Sequence, residues 1–150
     1  MASQYITFMI IFILGLSMVL VTNSMFATLS DQFRENIAEV ELSQILDLIQ
    51  MQILQSLLLP MDSNQTIDQQ LELPILLGQK FQYYIEIYNS SDNQIILHGF
   101  STDEKINQIT TFSVGAKYII QTSESSFQSI NMLLTLHIEK NADKVVITIL

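Results

Sequence analysis

The pattern of apolar positions divides the chain into two parts. From Tyr5 to Leu29 nearly every position is apolar, and the first charged residue is Asp31. The core of a bilayer requires about 20 consecutive apolar residues in helical form. Residues 5–29 are therefore predicted to form a helix that crosses a membrane or packs in a shared hydrophobic core.

Beyond residue 30 the chain is still rich in apolar residues, but charged residues now stand between them. Residues 31–59 contain no Gly or Pro, and apolar side chains recur there every four positions among charged ones. Such spacing places side chains on one stripe of a helix. The predicted stripe consists of Leu29, Phe33, Ile37, Ile45, Ile49, Ile53 and Leu57. A helix of residues 4–58, on the order of 80 Å at 1.5 Å per residue, would then have an amphipathic second half, 30–59, lying against the following domain.

Beyond Pro60 the period changes from about four to two. Residues 60–70 are rich in turn-forming residues and are predicted to be a linker. Residues 71–150 alternate in short segments, which predicts about six or seven antiparallel strands in a small β-sandwich or barrel. The predicted fold class is α+β, with a long hydrophobic N-terminal α-helix followed by this β-domain.

The predicted strands cover 71–77, 80–88, 94–98, 106–113, 117–122, 129–139 and 144–149. Pro74 cannot donate a ladder hydrogen bond, so the first strand is expected at a sheet edge. Alternation predicts two inward-facing sets, Phe81, Tyr83, Ile85 and Ile87, and Ile130, Met132, Leu134, Leu136 and Ile138. Turns are expected at Gly78-Gln79, 89–93 and 140–143, and the apolar run 144–149 is typical of a strand covered on both faces.

Charge and cysteine content exclude several classes of function. Only 14% of the residues are charged, and the net charge is −9. The six basic residues are scattered, which leaves no basic patch for nucleic acid or for anionic lipid. The chain has no cysteine, so disulfides, thiol catalysis and cysteine-ligated metal sites are excluded.

Candidate catalytic and metal-binding residues are few. The spacing of His98 and His137 matches no metal-binding motif, and an ordinary surface position is the favoured interpretation of each. The carboxylates Asp103, Glu104 and Asp143 lie in predicted loops without the density of oxygen ligands that calcium requires. No phosphate-binding loop, nucleophile elbow or zinc-protease motif occurs. The sequence therefore predicts no enzymatic activity, no metal and no cofactor.

Two tripeptides match the acceptor motif for N-glycosylation. Asn64 begins Asn-Gln-Thr, and Asn89 begins Asn-Ser-Ser. Both lie in predicted exposed loops, where a protein outside the cytoplasm can be glycosylated. They are candidate glycosylation sites and favour an extracytoplasmic location for the β-domain.

Three features together resemble an archaeal type IV pilin-like protein. They are the uncharged segment from Tyr5 to Leu29, its amphipathic continuation to Leu59, and a cysteine-free β-domain. Within that domain, Leu73–Ile87 looks like the opening strands of such proteins, with Pro74 and Gly78 framing a turn before a tyrosine-bearing strand. The resemblance covers most of the chain and is one of architecture. It implies a helix that resides in a bilayer first and later packs in a filament core.

The chain departs from the pilin pattern at its N-terminus. Prepilins carry a short basic leader, whereas only four residues without Lys or Arg precede Tyr5 here. Bacterial pilins place a Glu near the start of the helix, and Tyr5 occupies that place, which favours an archaeal relative. The chain is then expected to be a mature form, a form with a truncated start, or an uncleaved relative such as an archaellum stator subunit. A cleaved secretory signal is disfavoured, because there is no basic n-region and the apolar run is long.

The resemblance implies a structural role, with residues 5–29 packing against other copies of the chain. The residues expected in helix packing and assembly are Tyr5, Phe8, Phe12, Gly15, Ser17, Val19, Ser24 and Phe26. Among them, the small residues Gly15, Ser17 and Ser24 are expected at close helix crossings. The expected partners are further copies of the chain, the membrane before assembly, and surface or surface-layer components outside the cell. The alternative is a single-pass anchor whose β-domain binds an extracytoplasmic partner.

Overall fold

One α-helix and two four-stranded β-sheets make up the computed structural model of the chain, which describes residues 2–58, 65–90, 94–113, 119–122, 125–141 and 144–150. Helix α1 extends over Ala2–Leu58, close to the predicted 4–58. The chain divides into two compact units, Met1–Arg34 and Glu35–Leu150. The predicted α+β class is confirmed.

The strands of the described part are short and mainly antiparallel. They are β1 (Gln65–Glu72), β2 (Tyr83–Asn89), β3 (Gln94–Ser101), β4 (Asn107–Ser113), β5 (Ile119–Thr122), β6 (Ser125–Gln128), β7 (Leu133–Asn141) and β8 (Lys144–Ile149). One sheet has the order β1-β7-β8-β5 and the other β4-β3-β2-β6. Strand β5 pairs with β8 in parallel, while the other pairings are antiparallel.

The core of the Glu35–Leu150 unit combines the helix stripe with the inner faces of both sheets. Ile45, Ile49 and Ile53 of the predicted stripe are buried, and Ala38, Leu42 and Leu46 join them. The predicted inward set of strand β2, with Phe81 just before it, is buried as expected. The first part of the stripe is different, because Leu29, Phe33 and Ile37 are exposed. Leu29 and Phe33 belong to the Met1–Arg34 unit, where no described side chain is buried.

The segment after the helix departs most from prediction. Strand β1 begins at Gln65, so the predicted linker 60–70 is already strand over its second half. The predicted strand 71–77 is wrong beyond Glu72, because the chain turns there. Gly78 and Gln79 adopt φ values of 54° and 61° and form the predicted turn. Leu77 and Phe81, on either side of this turn, are joined by an isolated β-bridge. Strand β1 does lie at a sheet edge.

The predicted strand 129–139 is also interrupted. Ser129–Asn131 forms a 3-10 turn between β6 and β7, and Met132 has a φ of 57°. The left-handed residue breaks the alternation, so Ile130 and Met132 are exposed, contrary to prediction. After the break, Leu134, Leu136 and Ile138 are buried as predicted.

Strand β8 is buried on one face, whereas burial on both faces was expected. Val145, Ile147 and Ile149 face the core, and Val146 and Thr148 on the other face are half-buried. The two predicted hairpins are present, since β2 pairs with β3 and β7 with β8. The tips 91–93 and 142–143 lie outside the described residues.

A carboxylate of the helix joins it to the turn before strand β2. The Gly78 N–H donates to Glu41 Oε2 at 2.7 Å, a bond that the left-handed turn at Gly78 and Gln79 makes available. Nearby, the Tyr83 hydroxyl donates to the Pro74 carbonyl at 2.8 Å. Burial, followed by the charge of Glu41, raises the pKa of Tyr83 above its ordinary value. The phenol therefore remains a protonated donor.

Gly99 in strand β3 allows the helix to pack closely on the sheet. A Cβ on Gly99 would lie 2.7 Å from Leu42 Cδ1, and both residues are buried. Contact at that distance is below van der Waals separation, so a methyl group at position 99 would force Leu42 or the backbone to move.

The effects of substituting Gly99 and Leu42 on the free energy of unfolding should therefore depend strongly on each other. In the detergent-solubilised chain, Gly99→Ala should lower the free energy of unfolding by about 1–3 kcal/mol, and Leu42→Ala by about 2–5 kcal/mol. The double variant should be more stable than the sum of the two losses predicts, because the shortened side chain at position 42 makes room for the new methyl group. Urea titration of the four proteins measures this, and additive losses would contradict the packing described. Gly15→Ala is the control, since a Cβ at Gly15 meets no atom within 4 Å.

Candidate membrane and assembly segment

The first half of helix α1 is an apolar surface, and its side chains from Gln4 to Arg34 are all exposed. Helix α1 is long and apolar enough to cross a membrane, and its most apolar window is 0% buried. The large apolar side chains from Tyr5 to Leu29 are each more than half exposed. Water would make such a surface costly, since exposed apolar area is unfavourable at about 25 cal/mol per Å². This surface therefore requires either lipid or protein around it.

Four hydroxyl groups of this segment form hydrogen bonds within their own helix. Ser17 Oγ donates to the Leu14 carbonyl and Ser24 Oγ to the Val21 carbonyl, both at 2.8 Å. Thr22 and Thr28 donate in the same way to carbonyls four residues earlier. Hydroxyls bonded within their own helix carry little cost in lipid, where an unpaired donor would cost several kcal/mol.

The predicted assembly residues lie on two opposite sides of the helix. At 100° per residue, Tyr5, Phe8, Phe12, Gly15, Val19 and Phe26 fall within an arc of about 80°. Ser17 and Ser24 lie on the opposite side. The helix therefore separates a side that carries the aromatic residues, which we call the aromatic side, from a side that carries Ser17 and Ser24.

A shallow groove interrupts the aromatic side. It has a volume of about 470 Å³ and is lined by Gly15, Met18, Val19, Thr22, Asn23 and Phe26. The absence of a side chain at Gly15 opens it. Thr22 and Asn23 were not among the predicted assembly residues, and their position seven to eight residues after Gly15 is the signal that could have identified them.

Of the two candidate glycosylation sites, Asn89 lies within the described residues and Asn64 does not. Asn89 is the last residue of strand β2 and is exposed. Its exposure is what an acceptor asparagine requires. Asn64 lies outside the described residues, so its use stays a prediction.

The two histidines lie on the outer faces of different sheets. His98 Nε2 is 3.0 Å from Asn107 Oδ1, and its ring lies against Phe100 with centroids 4.9 Å apart. His137 lies between two carboxylates, with Nδ1 at 2.5 Å from Asp68 Oδ1 and Nε2 at 3.1 Å from Glu139 Oε1. Within the described ranges, no cluster of three or more His, Asp or Glu could hold a metal.

His137 joins the edge strand β1 to β7. Both ring nitrogens face carboxylate oxygens, which only accept, so the doubly protonated ring fits this arrangement best. The hydrogen bond to Asp68, then that to Glu139, raises the pKa of His137 above 6.5. From strand β8, the uncharged Thr148 is its neighbour in register. The side chains are 28% and 63% exposed in His137 and Asp68, so solvent weakens the pair.

The raised pKa of His137 gives stability a predictable pH dependence. Because the folded pKa exceeds the unfolded one, the contribution is fully present below pH 6.5 and is lost as pH rises through the raised value. Its size should be about 1 kcal/mol or less, as for exposed ion pairs. Urea titrations at pH 6 and pH 8.5 measure the difference, which His137→Gln should reduce. If His137→Gln shows the same difference in unfolding free energy between the two pH values, groups other than His137 cause the pH dependence.

The loop carboxylates do not converge on a reactive site. Ser101 Oγ donates to Asp103 Oδ1 at 2.6 Å, and this bond is the main cause that lowers the pKa of Asp103. A small open cleft of about 310 Å³ adjoins it, lined by Lys80, Phe81, Gln82, Thr102 and Asp103. The serine bond makes Asp103 a poor base, and Asp143 lies outside the described residues.

A second exposed apolar surface lies at one end of the β-domain. The Leu73 N–H donates to the Met132 carbonyl at 2.9 Å, which brings the segments after β1 and before β7 together. Exposed apolar side chains on these segments are Ile75, Leu76, Ile130, Met132 and Leu133, which we call the apolar end patch. Sequence alternation missed this patch because it placed Ile130 and Met132 in the core.

Comparison of the chain with protein-family models, with curated proteins and with solved structures finds no match.

Proposed function

We propose that this chain is a structural subunit of an extracellular filament of the type IV pilus kind. Its N-terminal helix is held in the membrane before assembly and packs with other copies in the filament core afterwards. The β-domain forms the outer surface and contacts surfaces outside the cell. No catalysis is proposed.

The observation that carries the proposal is the uncharged, exposed segment 5–29 of helix α1. A simple anchor needs an apolar surface of this length. The same surface also serves a filament core, because transfer from lipid to a bundle of apolar helices keeps every side chain out of water. Packing of side chains then decides which helices associate.

Gly15 offers a test of assembly that leaves the fold of the subunit unchanged. A Cβ at Gly15 meets no atom within 4 Å in the isolated chain, and the surrounding side chains are exposed, so Gly15→Leu should insert and fold normally. In a filament core, the added side chain should block a close helix crossing and reduce the filaments recovered by shearing cells. Ala27→Leu, which places the same leucine side chain about 120° around the helix from Gly15, is the matched control. Unchanged filament yield in Gly15→Leu would contradict the proposal.

The apolar end patch supports a second candidate function. A monomeric, membrane-anchored module that binds an extracytoplasmic partner would need an exposed apolar surface on its β-domain. Ile130 and Met132, more than half exposed on a turn, fit that need. If this candidate is correct, no filaments will be sheared from cells. Ile130→Ser with Met132→Ser would then release the partner without removing the chain from the membrane.

A further inference from the structure

Exposed apolar side chains of the β-domain gather at one of its ends. Beyond residue 64, the large apolar side chains that are exposed in the described part are Ile75, Leu76, Ile109, Ile130, Met132, Leu133 and Leu150. Five of them form the apolar end patch. Leu150 borders the patch, because its backbone exchanges two hydrogen bonds with Thr135, two residues after Leu133. Ile109 lies elsewhere, within the edge strand β4. A cluster of this kind marks a surface that meets another apolar surface.

The helical part of the same compact unit begins at this end of the β-domain. Lys105, in the turn between β3 and β4, has its Nζ 3.5 Å from Glu35 Oε1. At the same end of this sheet, Tyr83 at the start of β2 pairs with Ser101 at the end of β3. The Tyr83 N–H donates to Ser129 Oγ at 3.2 Å. The patch residues that follow this serine therefore lie at the end of the unit where its helix begins.

A second set of hydrogen bonds places the other half of the patch at the same end. The Gly78 N–H, two residues after Leu76, donates to Glu41 Oε2 of the helix at 2.7 Å. The Leu73 N–H donates to the Met132 carbonyl at 2.9 Å, which joins the two halves. Both halves of the patch are therefore bonded to the first turns of the helix within the Glu35–Leu150 unit.

The covalent chain keeps this end of the unit close to the apolar segment. Glu35 follows Leu29, the last residue of that segment, by six residues. Six residues span at most about 20 Å, even when fully extended. When residues 5–29 lie in a bilayer, the end of the unit that carries the patch is therefore within reach of the membrane surface.

The strands and turns that carry the patch contain no charged residue. Residues 73–79, 129–136 and 145–150 lack Asp, Glu, Lys and Arg. Insertion of these segments among lipid headgroups therefore removes no charged side chain from water. Lys80 stands at the border of the patch, where its long stem can lie along apolar surface while its ammonium group stays in water.

We infer that the apolar end patch rests in the interfacial layer of the same bilayer that holds residues 5–29, so that the β-domain is docked on lipid before assembly. The inference rests on the proposed function for the membrane-held state, and it names lipid as the partner of a surface outside the spanning segment. Apolar groups at such a surface reach about 5–10 Å into the headgroup boundary. Because the helix tethers the patch beside lipid, a weak affinity suffices.

The absence of cysteine allows the depth of single positions to be measured in the full chain. Ile130→Cys in the patch and Ile109→Cys on β4 are each labelled with a fluorophore, and the two isoleucines are 58% and 60% exposed. The chains are reconstituted in phosphatidylcholine vesicles that contain lipid spin-labelled near its headgroup. An inserted label lies within about 5–10 Å of that boundary, so quenching at position 130 should exceed quenching at position 109 on the order of tenfold.

A variant of the patch tests whether its apolar side chains cause the docking. Ile75→Ser with Met132→Ser removes two exposed apolar side chains and should lower quenching at position 130 on the order of tenfold. Leu48→Ser with Met51→Ser is the matched control, because these side chains have similar exposure and lie on the helix away from its first turns. It should leave the quenching unchanged. Equal quenching at positions 130 and 109, or equal loss in the two double variants, would overturn the docking.

A third label separates this inference from the proposed function. Leu20→Cys lies near the centre of the apolar segment and should be quenched by lipid that is spin-labelled deep in its acyl chain. Quenching at position 20 without excess quenching at position 130 would overturn the docking and leave the membrane-held helix. No quenching at position 20 would contradict the membrane-held helix and the inference with it. Quenching at position 130 in vesicles, with no filaments sheared from cells, would support the docking and contradict the filament.

The same label distinguishes lipid from a protein partner. In pure lipid vesicles, docking should shield the label at position 130 from iodide in the water. Shielding in membranes of the expressing cells, but not in the vesicles, would assign the patch to a protein partner and overturn the lipid contact.

Discussion

A chain that begins at Glu35 should be soluble without detergent and fully folded. Every described residue of the hydrophobic core lies between Ala38 and Ile149, and the boundary of the second compact unit is at Glu35. Removal of residues 1–34 therefore takes away side chains that are all exposed in the described part of the first unit. We expect a monomer in sedimentation, with cooperative urea unfolding at the same midpoint as the full chain in mild detergent.

The control for this truncation removes part of the core as well. A chain that begins at Gln50 lacks Leu42, Leu46 and Ile49, which are all fully buried. Loss of large buried side chains costs about 2–5 kcal/mol each, and the combined loss is comparable to the roughly 5–15 kcal/mol that holds a typical domain together. This chain should aggregate or unfold. Aggregation of the chain that begins at Glu35 would show that residues 1–34 are needed to fold the β-domain.

A single arginine in the middle of the apolar segment should remove the chain from the membrane fraction to a large extent. Leu20 is exposed and lies near the centre of residues 5–29, away from the aromatic side. Arginine at the centre of a spanning helix costs about 2.5–3.5 kcal/mol of insertion free energy, or roughly a hundredfold in the partition between membrane and water. Carbonate extraction of membranes followed by immunoblotting measures the partition of Leu20→Arg.

Val40→Arg is the matched control for this experiment. Val40 is 57% exposed, close to the 63% of Leu20, and lies among charged residues on the amphipathic part of the helix. Its substitution should leave the membrane fraction unchanged. Equal loss in the two variants would mean that arginine disturbs folding of the helix and not insertion.

The long helix and half of the β-domain were predictable because their signals are local and repeated. Four successive inward positions from Phe81 to Ile87 identify a strand, and Ile45, Ile49 and Ile53 define one stripe. The stripe was misplaced at Leu29 and Phe33 because spacing alone does not reveal where a partner surface begins. Only the position of the β-domain core decides that the helix is covered from Ala38 onward.

The strand predictions that are wrong in the β-domain have a common cause, because they depend on features that local sequence patterns do not contain. Met132 adopts a left-handed conformation that is uncommon for residues other than glycine, so no propensity rule places a break there. The sequence predicts a linker over residues 65–70, the first part of strand β1, because these residues are mostly polar. Their pairing with β7 is decided by a strand far along the chain. The aromatic side was present in the sequence as steps of three, four or seven residues, but the uniformly apolar composition of residues 5–29 concealed it.

Immunogold electron microscopy of cells that express the full chain, with antibody against the Glu35–Leu150 unit, can show whether the chain is a filament subunit. If it is, gold particles will lie along filaments that extend from the cell surface, and the label will be lost or greatly reduced in Gly15→Leu cells. Gold confined to the cell envelope, with no labelled filament, would contradict the filament subunit and leave the anchored binding module as the function of this chain.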